Sequence, residues 1–180
     1  METNTMKTEI ITIGGGCFWC MDPIFRMTPG VTDVVVGYAG GELTNPGYRE
    51  VCSGTTGHAE VLQISFDPTV VTLEKIFEIF FTIHDPTTLN RQGADKGTQY
   101  RSIILYENND QMIAVNTIIE KLNASGAWND PIVTEVVPLE KFYPAEDYHQ
   151  NYFNKDPQQS YCQIVIAPKI EKFNKVFNKK

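Results

Sequence analysis

A pair of cysteines near the start of the chain, Cys17 and Cys20, carries the clearest chemical potential in the sequence. Three glycines at 14–16 precede the first cysteine, and an apolar run at 18–27 with helical character follows it. This pattern predicts that Cys17 lies at a helix N-terminus, where unpaired backbone N–H groups and the helix dipole stabilise an anion. We therefore expect the pKa of its thiol to lie below the usual value of about 8.5, as a nucleophile requires. The alternative is a buried cysteine that only fills space.

The C-x-x-C spacing of this pair has two further chemical interpretations. A zinc site needs a second ligand pair, but Cys52 and Cys162 are isolated and the three histidines are scattered, so we expect no metal. A thioredoxin-like dithiol is the stronger rival, because it too follows a strand and opens a helix. The bulky residues between the two cysteines, Phe18 and Trp19, argue against disulfide exchange of that kind.

A single carboxyl group, that of Glu60, falls on the apolar face of a predicted strand at 59–66. Alternation along this strand places it on the same side as Leu62, Ile64 and Phe66. Burial there would remove water from the carboxyl group, raise its pKa and make it a proton donor at pH 7. The alternative is a glutamate at the strand end that turns to solvent.

Strands and helices follow one another in the order β-α-β-β-α-β-α-β, which predicts an α+β two-layer sandwich with a mixed sheet. The predicted strands cover residues 9–13, 31–38, 59–66, 100–106 and 132–137, and the predicted helices cover 18–27, 73–83 and 112–122, the last two with Thr72 as N-cap and Gly126 as C-cap. A short aromatic-rich helix or loop is expected at 143–153. The two loops at 40–57 and 84–99 are long for a compact domain, which indicates that they contribute to function.

The whole chain, 180 residues with a net charge of −7 and four cysteines, restricts the class of protein. We expect one domain over 1–180, with residues 1–7 disordered and a docked amphipathic helix over 168–180. The negative charge argues against nucleic acid as a partner, and no apolar run reaches the length of a membrane span. Because the cysteines are few and no signal peptide is visible, a cytoplasmic protein is predicted.

Five segments together resemble one family closely, the peptide methionine sulfoxide reductases of the A type. The segments lie between residues 13 and 162, in the order that the family has, and they cover residues 16–19, 48–54, 57–60, 91–102 and 142–150. The resemblance implies reduction of methionine sulfoxide, free or in proteins, with specificity for the S epimer. It also implies a ferredoxin-like α+β core. The reaction is a repair of oxidised methionine for which one enzyme serves each sulfoxide epimer.

The resemblance also assigns roles to individual residues. Cys17 is the nucleophile that attacks the sulfoxide sulfur, and protonated Glu60 donates a proton to the departing oxygen. Cys17 then becomes a sulfenic acid, a second thiol converts it to a disulfide, and thioredoxin, or dithiothreitol in vitro, reduces that disulfide. No bound cofactor is implied, and we expect a monomer. The substrate-binding side chains implied by the resemblance are Phe18, Trp19, Tyr48, Asp95 and Tyr100.

The thiol that resolves the sulfenic acid is the point at which the resemblance and local physics disagree. Many relatives use a cysteine at the position of Cys162, on a mobile C-terminal segment. Here the β-prone run at 163–166 follows, which predicts that Cys162 is tied into a sheet. Many relatives have glycine at the position of Cys20. Cys20 lies one helical turn from Cys17 and within disulfide reach. We favour Cys20 slightly over Cys162 and place Cys52 third.

Two other classes of function stay open at this point. A general thioredoxin-like C-x-x-C disulfide oxidoreductase would exchange disulfides through the same cysteine pair. A methionine-binding module would use the same apolar residues without turnover. Formation of methionine from methionine sulfoxide and dithiothreitol would separate reduction of the sulfoxide from both alternatives.

Overall fold

The computed structural model describes residues 7–178, and most of its strands form one sheet. The strands are β1 (Glu9–Gly14), β2 (Val31–Ala39), β3 (Ala59–Phe66), β4 (Arg91–Gln92), β5 (Asp95–Lys96), β6 (Ile103–Tyr106), β7 (Glu135–Pro138) and β8 (Phe142–Pro144). Six of them pair in the order β7-β6-β1-β3-β2-β8, while β4 and β5 form a separate hairpin. The β6–β7 pair is parallel and the other pairs in the sheet are antiparallel, so the sheet is mixed.

Helices cover one face of this sheet. They are α1 (Phe18–Arg26), α2 (Tyr48–Cys52), α3 (Leu73–Ile83), α4 (Asn109–Ser125), α5 (Tyr152–Lys155) and α6 (Ala167–Phe177). Alternate residues of β3, Leu62, Ile64 and Phe66, join the main core with apolar residues of the helices, whereas Ala59 and Val61 on the other face pack against strand and loop residues. The predicted α+β arrangement with a mixed sheet is therefore confirmed. A ferredoxin-like core stays a prediction.

Helix capping follows the sequence closely. The Thr72 hydroxyl accepts a hydrogen bond from the Lys75 N–H at 3.1 Å, and Gly126 ends α4 with a positive φ of 68°. The C-terminal helix expected over 168–180 is present as α6, and its Phe173 is buried in the core. Residues 1–6 and 179–180 lie outside the described residues, so the expected disorder over 1–7 falls almost wholly outside them. No helix within 7–178 is long and apolar enough to cross a bilayer.

Several boundaries differ from the predictions, most of them in the long loops. The loop at 40–57 contains α2, a helix too short for a periodic signal, which the Glu50 side chain caps by accepting from the Gly47 N–H at 2.7 Å. The loop at 84–99 contains the β4–β5 hairpin, and the strand expected from 100 begins only at Ile103. The strand expected over 132–137 is present as β7, and the segment at 143–153 contains part of β8 and the first two residues of α5.

The prediction that Cys162 enters a sheet is wrong. Residues Cys162–Ile166 form one π-helical turn that leads directly into α6. Cys162 and Ile166, four residues apart, are both buried, whereas Ile164 between them is 73% exposed. The helical turn buries Cys162 and Ile166 on one face. This packing outweighs the preference of the β-branched residues for a strand.

Candidate active site

Cys17 occupies the N-cap of α1, directly after the glycine turn that ends β1. The turn needs glycine for two reasons. A Cβ on Gly14 would lie 2.6 Å from the carbonyl oxygen of Glu60 on the neighbouring strand, and Gly16 has a φ of +99°. The predicted position of Cys17 at a helix start is confirmed, and the close approach of β1 to β3 brings it next to Glu60.

The Glu60 side chain is 1% exposed and faces the start of α1. Its Oε1 accepts a hydrogen bond from the Phe18 backbone N–H at 3.2 Å, and the Cys17 side chain lies beside the carboxyl group. Burial, aided by the negative charges of Asp95 and Cys20, raises the pKa of Glu60 to about 8, although the Phe18 N–H and Cys17 both lower it. The predicted rise is confirmed, so Glu60 carries a proton at pH 7.

The expected fall in the pKa of Cys17 is wrong for the site without substrate. Burial raises the pKa of the Cys17 thiol well above its usual value, and its hydrogen bond to Cys20 and the charge of Glu60 raise it further. The Trp19 N–H at the helix start does lower it, as the sequence pattern indicates, but this contribution is smaller. The effect of burial on the pKa of Cys17 therefore outweighs that of the helix N-terminus, and Cys17 is a thiol in the site without substrate.

Cys20 is the thiol beside Cys17. Its backbone N–H donates to the Cys17 carbonyl at 3.1 Å, and its sulfur accepts a hydrogen bond from the Cys17 thiol. This hydrogen bond, the positive charge of Lys169 and the Tyr161 hydroxyl at 3.3 Å lower the pKa of Cys20 to about 7, although burial opposes them. Within the coupled pair the negative charge therefore belongs on Cys20.

The aromatic residues that follow Cys17 form an ordered apolar wall. Phe18 is buried, and Trp19 stacks on Tyr152 with ring centroids 4.0 Å apart and an interplanar angle of 11°. Tyr161 meets the indole edge-on at 5.8 Å. The Trp19 ring is thus held from two sides, as a binding surface for a small apolar group requires.

The polar residues named from the resemblance surround Glu60. Burial raises the pKa of the Tyr48 and Tyr100 phenols, and the charge of Glu60 raises it further. Both phenols are therefore close to the Glu60 carboxyl group and keep their protons. Asp95 in the β4–β5 hairpin accepts a hydrogen bond from the Tyr161 hydroxyl at 3.4 Å. Tyr48 on α2 and Tyr100 directly after the second loop show that the two long loops bring polar side chains to Glu60.

The other two cysteines differ in burial and in their neighbours. Cys162 is fully buried in a cluster with Cys20 and Ile166, whereas Cys52 at the end of α2 is exposed and accepts a hydrogen bond from the Tyr48 hydroxyl. The structure therefore places Cys162 next to Cys20 and Cys52 at the exposed end of α2. Among residues 7–178, no group of three or more cysteine, histidine or acidic side chains is placed to hold a metal ion.

Two further residues near the site, Glu146 and His149, were not predicted from the sequence. His149 is fully buried, and its ring centroid lies 5.1 Å from Phe18 and 4.5 Å from Tyr48. Glu146 accepts a hydrogen bond from the Tyr48 N–H at 3.1 Å. Both stand in the segment at 142–150 that belongs to the resemblance, but a lone histidine and a loop glutamate give no periodic signal.

A cysteine at a helix start, a protonated carboxyl group beside it and an aromatic wall define a thiol-based oxidoreductase site on a mixed α+β fold. A sequence profile of the family "Peptide methionine sulfoxide reductase" matches residues 9–180, and the chain belongs to that family. It is 58% identical over 165 residues to the peptide methionine sulfoxide reductase MsrA of Nautilia profundicola, covering 92% of this chain and 94% of the relative. The chain is therefore a peptide methionine sulfoxide reductase of the A type, which is an oxidoreductase.

Solved structures agree with this assignment. The structure of Mxr1 from Saccharomyces cerevisiae in reduced form has a TM-score of 0.81 at 40% identity, with 88% of this chain and 91% of Mxr1 covered. The structure of the same yeast protein in complex with Trx2 has a TM-score of 0.59 at 30% identity, with 84% and 89% covered. The fold described above is thus more similar to the reduced form than to the complex.

Proposed function

We propose that this chain reduces the S epimer of methionine sulfoxide, free or in proteins, to methionine, with thiols as the source of electrons. The observation that carries the proposal is the contact between the Cys17 thiol and a Glu60 carboxyl group that is protonated at neutral pH. A methyl sulfoxide has a basic oxygen beside an apolar methyl group. The protonated carboxyl group suits the oxygen, and the wall of Phe18 and Trp19 suits the methyl group.

In the first step the sulfoxide oxygen accepts hydrogen bonds from Glu60, Tyr48 and Tyr100. The Cys17 sulfur attacks the sulfoxide sulfur while Glu60 transfers its proton to the oxygen, and the neighbouring Cys17 thiol gives its proton to Glu60. The hydroxyl group is then transferred to the Cys17 sulfur as the substrate S–O bond and the transient S–S bond break, so that methionine leaves and Cys17 is a sulfenic acid. The raised pKa of Cys17 is consistent with this step, because the thiol is deprotonated only when Glu60 is ready to accept its proton.

In the second step a thiolate attacks the Cys17 sulfenic sulfur, water leaves and a disulfide forms. We assign this role to Cys20, because it already shares a hydrogen bond with Cys17 and its pKa of about 7 supplies thiolate near neutral pH. Cys162 is buried in the same cluster as Cys20, and because burial raises the pKa of its thiol it supplies less thiolate. The exposed Cys52 is the third candidate.

In the third step an external dithiol reduces the disulfide. A thioredoxin is the proposed physiological reductant, which the Trx2 complex of the yeast relative supports. Its thiolate would attack Cys17, which is partly exposed, rather than Cys20, which is 1% exposed. We further propose that the chain acts in the cytoplasm as a monomer, without a bound cofactor.

The experiment separates sulfoxide reduction from general disulfide exchange. The protein is incubated with each epimer of N-acetylmethionine sulfoxide and dithiothreitol, and the N-acetylmethionine formed is measured by chromatography. We expect product from the S epimer, none from the R epimer and none with Cys17→Ser. Reduction of an unrelated disulfide substrate without any sulfoxide reduction would favour the general C-x-x-C oxidoreductase instead.

The resolving thiol is identified by a count of thiols after a single turnover. All four cysteines are free before the reaction. With one equivalent of sulfoxide, wild type and Cys162→Ser should each lose two thiols, measured after acid quenching and unfolding, whereas Cys20→Ser should lose one. Cys52→Ser is the matched control. A loss of two thiols in Cys20→Ser would move the role to Cys162 or Cys52.

A further inference from the structure

We propose that Tyr161 is a further catalytic residue of the disulfide-forming step: its hydroxyl takes the proton of the Cys20 thiol while it gives its own proton to the hydroxyl group that leaves Cys17. The proposal rests on the proposed function, because it concerns how Cys20 converts the Cys17 sulfenic acid to a disulfide. Three features of the site support it: the contacts of the phenol oxygen, the isolation of Cys20 from water, and the position of Cys17 beside the same oxygen.

The phenol oxygen of Tyr161 lies between Cys20 and Asp95. It is 3.3 Å from the Cys20 sulfur and 3.4 Å from Oδ2 of Asp95, to which the hydroxyl donates. A phenol has a single proton, so while that proton is on the bond to Asp95, the Cys20 thiol is the donor to the phenol oxygen. Tyr161 therefore offers Cys20 a proton acceptor and has a proton of its own to pass on.

Cys20 is isolated from the solvent that would otherwise take up its proton. The residue is 1% exposed, and no other oxygen atom within residues 7–178 forms a hydrogen bond with its sulfur. The charged neighbour Lys169 is an ammonium group, which has no acceptor site for a proton. The Tyr161 hydroxyl is therefore the protein group placed to receive the proton of the Cys20 thiol.

The Cys17 side chain lies beside the same hydroxyl. Burial raises the pKa of the Tyr161 phenol far above its usual range, and the charges of Cys17 and Cys20 raise it further. Once the sulfoxide is reduced, the Cys17 sulfur carries a hydroxyl group, which rotation about the Cβ–Sγ bond can turn toward Tyr161. Because phenolate is so unfavourable here, the phenol must gain one proton as it gives up the other.

The complete step forms one disulfide bond and one water molecule. The Cys20 sulfur supplies the electron pair of the new S–S bond and attacks the Cys17 sulfur, whose S–O bond breaks with its electron pair going to oxygen. The Cys20 proton passes to the phenol oxygen and the phenol proton passes to the departing hydroxide, so Tyr161 ends unchanged. Cys17 is reduced and Cys20 is oxidised to the level of the disulfide. Since the pKa of Cys20 is about 7, its thiol releases this proton readily at neutral pH.

The test measures how the sulfenic acid partitions between disulfide formation and a chemical trap. The protein receives one equivalent of N-acetylmethionine sulfoxide with increasing concentrations of dimedone, and mass spectrometry gives the share of Cys17 that carries the trap. Tyr161→Phe keeps the ring that meets Trp19 edge-on. Half trapping in this variant should need about 10²-fold less dimedone than in wild type, because a positioned proton-transfer group is lost. An unchanged dimedone requirement would overturn the proposal.

Two further variants set the limits of this measurement. Tyr106→Phe removes the same atom from β6, where Tyr106 pairs with Pro138 of β7, and should match wild type. Cys20→Ser lacks the proposed resolving thiol and should be trapped completely at the lowest dimedone concentrations. Disulfide formation at the wild-type rate in Cys20→Ser would show that another cysteine resolves the sulfenic acid, and a relay from Cys20 would then be wrong.

A solvent isotope effect separates proton transfer from packing. Because two protons move in the step, the trapped share at a fixed dimedone concentration should be larger in deuterium oxide than in water for wild type and Tyr106→Phe. The increase should be clearly smaller in Tyr161→Phe, which has no phenol proton to transfer. The same increase in all three proteins would reduce Tyr161 to a packing residue. No increase in wild type would contradict the relay without recourse to any variant.

A failure of the proposed function would be visible separately. If wild type forms no N-acetylmethionine, the sulfoxide is not its substrate and the proposed function fails. Hydrogen peroxide, which transfers an oxygen atom to the Cys17 thiol and leaves as water, then supplies the sulfenic acid. The same partition between dimedone and disulfide, compared between wild type, Tyr161→Phe and Tyr106→Phe, still decides the role of Tyr161.

Discussion

Two buried carboxyl groups lie near α1, and their different partners give them different chemistry. Asp22 in the middle of the helix has a positive partner: Arg26 donates from Nε to Oδ1 at 2.6 Å, and the pKa of Asp22 rises only to about 6, because burial raises it while Arg26 lowers it. Glu60 beside the helix start has an amide N–H and a thiol instead, and its pKa rises to about 8. Burial alone therefore does not decide the pKa of these carboxyl groups: Arg26 opposes it at Asp22, and no cation opposes it among the contacts of Glu60.

The largest expected difference between the two carboxyl groups is in the chemical step. Glu60→Gln keeps a hydrogen-bond donor but cannot release a proton, so the single-turnover rate should fall by about 10²- to 10⁴-fold. Asp22→Asn should leave that rate within a few-fold of wild type, because Asp22 contacts Arg26 and not the site. Rapid-quench measurement of methionine formed by excess enzyme compares the two variants. Equal rates for Glu60→Gln and wild type would reduce Glu60 to a structural carboxyl group.

The same comparison should appear in protein stability as a function of pH. A carboxyl group with a raised pKa binds its proton more tightly in the folded state, so its contribution is present at low pH and is lost as the pH rises through the folded pKa. For Glu60 the loss spans pH 4.5 to 8 and reaches about 5 kcal/mol at most, on the scale of 1.36 kcal/mol per pKa unit. Glu60→Gln should therefore gain stability relative to wild type up to about pH 9 in urea unfolding.

For Asp22 the corresponding window is lower and narrower. Its loss spans pH 3.8 to 6 and reaches about 3 kcal/mol at most. The stability of Asp22→Asn relative to wild type should rise across this window and stay constant above it. If the two variants showed the same pH window, the contrast between the paired and the unpaired carboxyl group would be wrong.

Removal of Arg26 should raise the pKa of Asp22 toward that of Glu60. Without its cation the pKa of Asp22 should rise above 6, and the stability window of Asp22 should extend toward that of Glu60. Arg26→Gln should also cost about 3 kcal/mol at pH 7, since a buried ion pair loses one partner and the Val34 carbonyl loses its donor. Urea unfolding at several pH values measures both effects. An unchanged window would mean that Arg26 does not control Asp22.

The contrast also explains how much of the site the sequence could predict. Alternation along β3 was sufficient to place Glu60 on the buried face, and the glycine turn was sufficient to place Cys17 at a helix start. The pKa of Cys17 was not predictable in this way, because it depends on how completely α1, β3 and Cys20 exclude water. Local sequence reports the helix N-terminus but not the burial that outweighs it.

Other errors arose from short or non-periodic elements. The capped helix α2 is five residues long and therefore shows no helical period, although it carries Tyr48. The run after Cys162 has the residues of a strand, yet tertiary packing makes it a helical turn. His149 and Glu146 reach Trp19 and Tyr48 through contacts between distant segments, which no local pattern reveals. The fold class followed from periodicity, whereas these details depend on contacts between distant segments.

The most direct test of the central claim is a measurement of the protonation state of Glu60 itself. Infrared difference spectra compare wild type with Glu60→Gln and with Asp22→Asn at pH 7, in the region of the C=O stretch of a protonated carboxyl group. We expect wild type and Asp22→Asn to share a band that Glu60→Gln lacks and that disappears as the pH rises through about 8. A Glu60 that is ionised at pH 7, with no such band, would contradict the account.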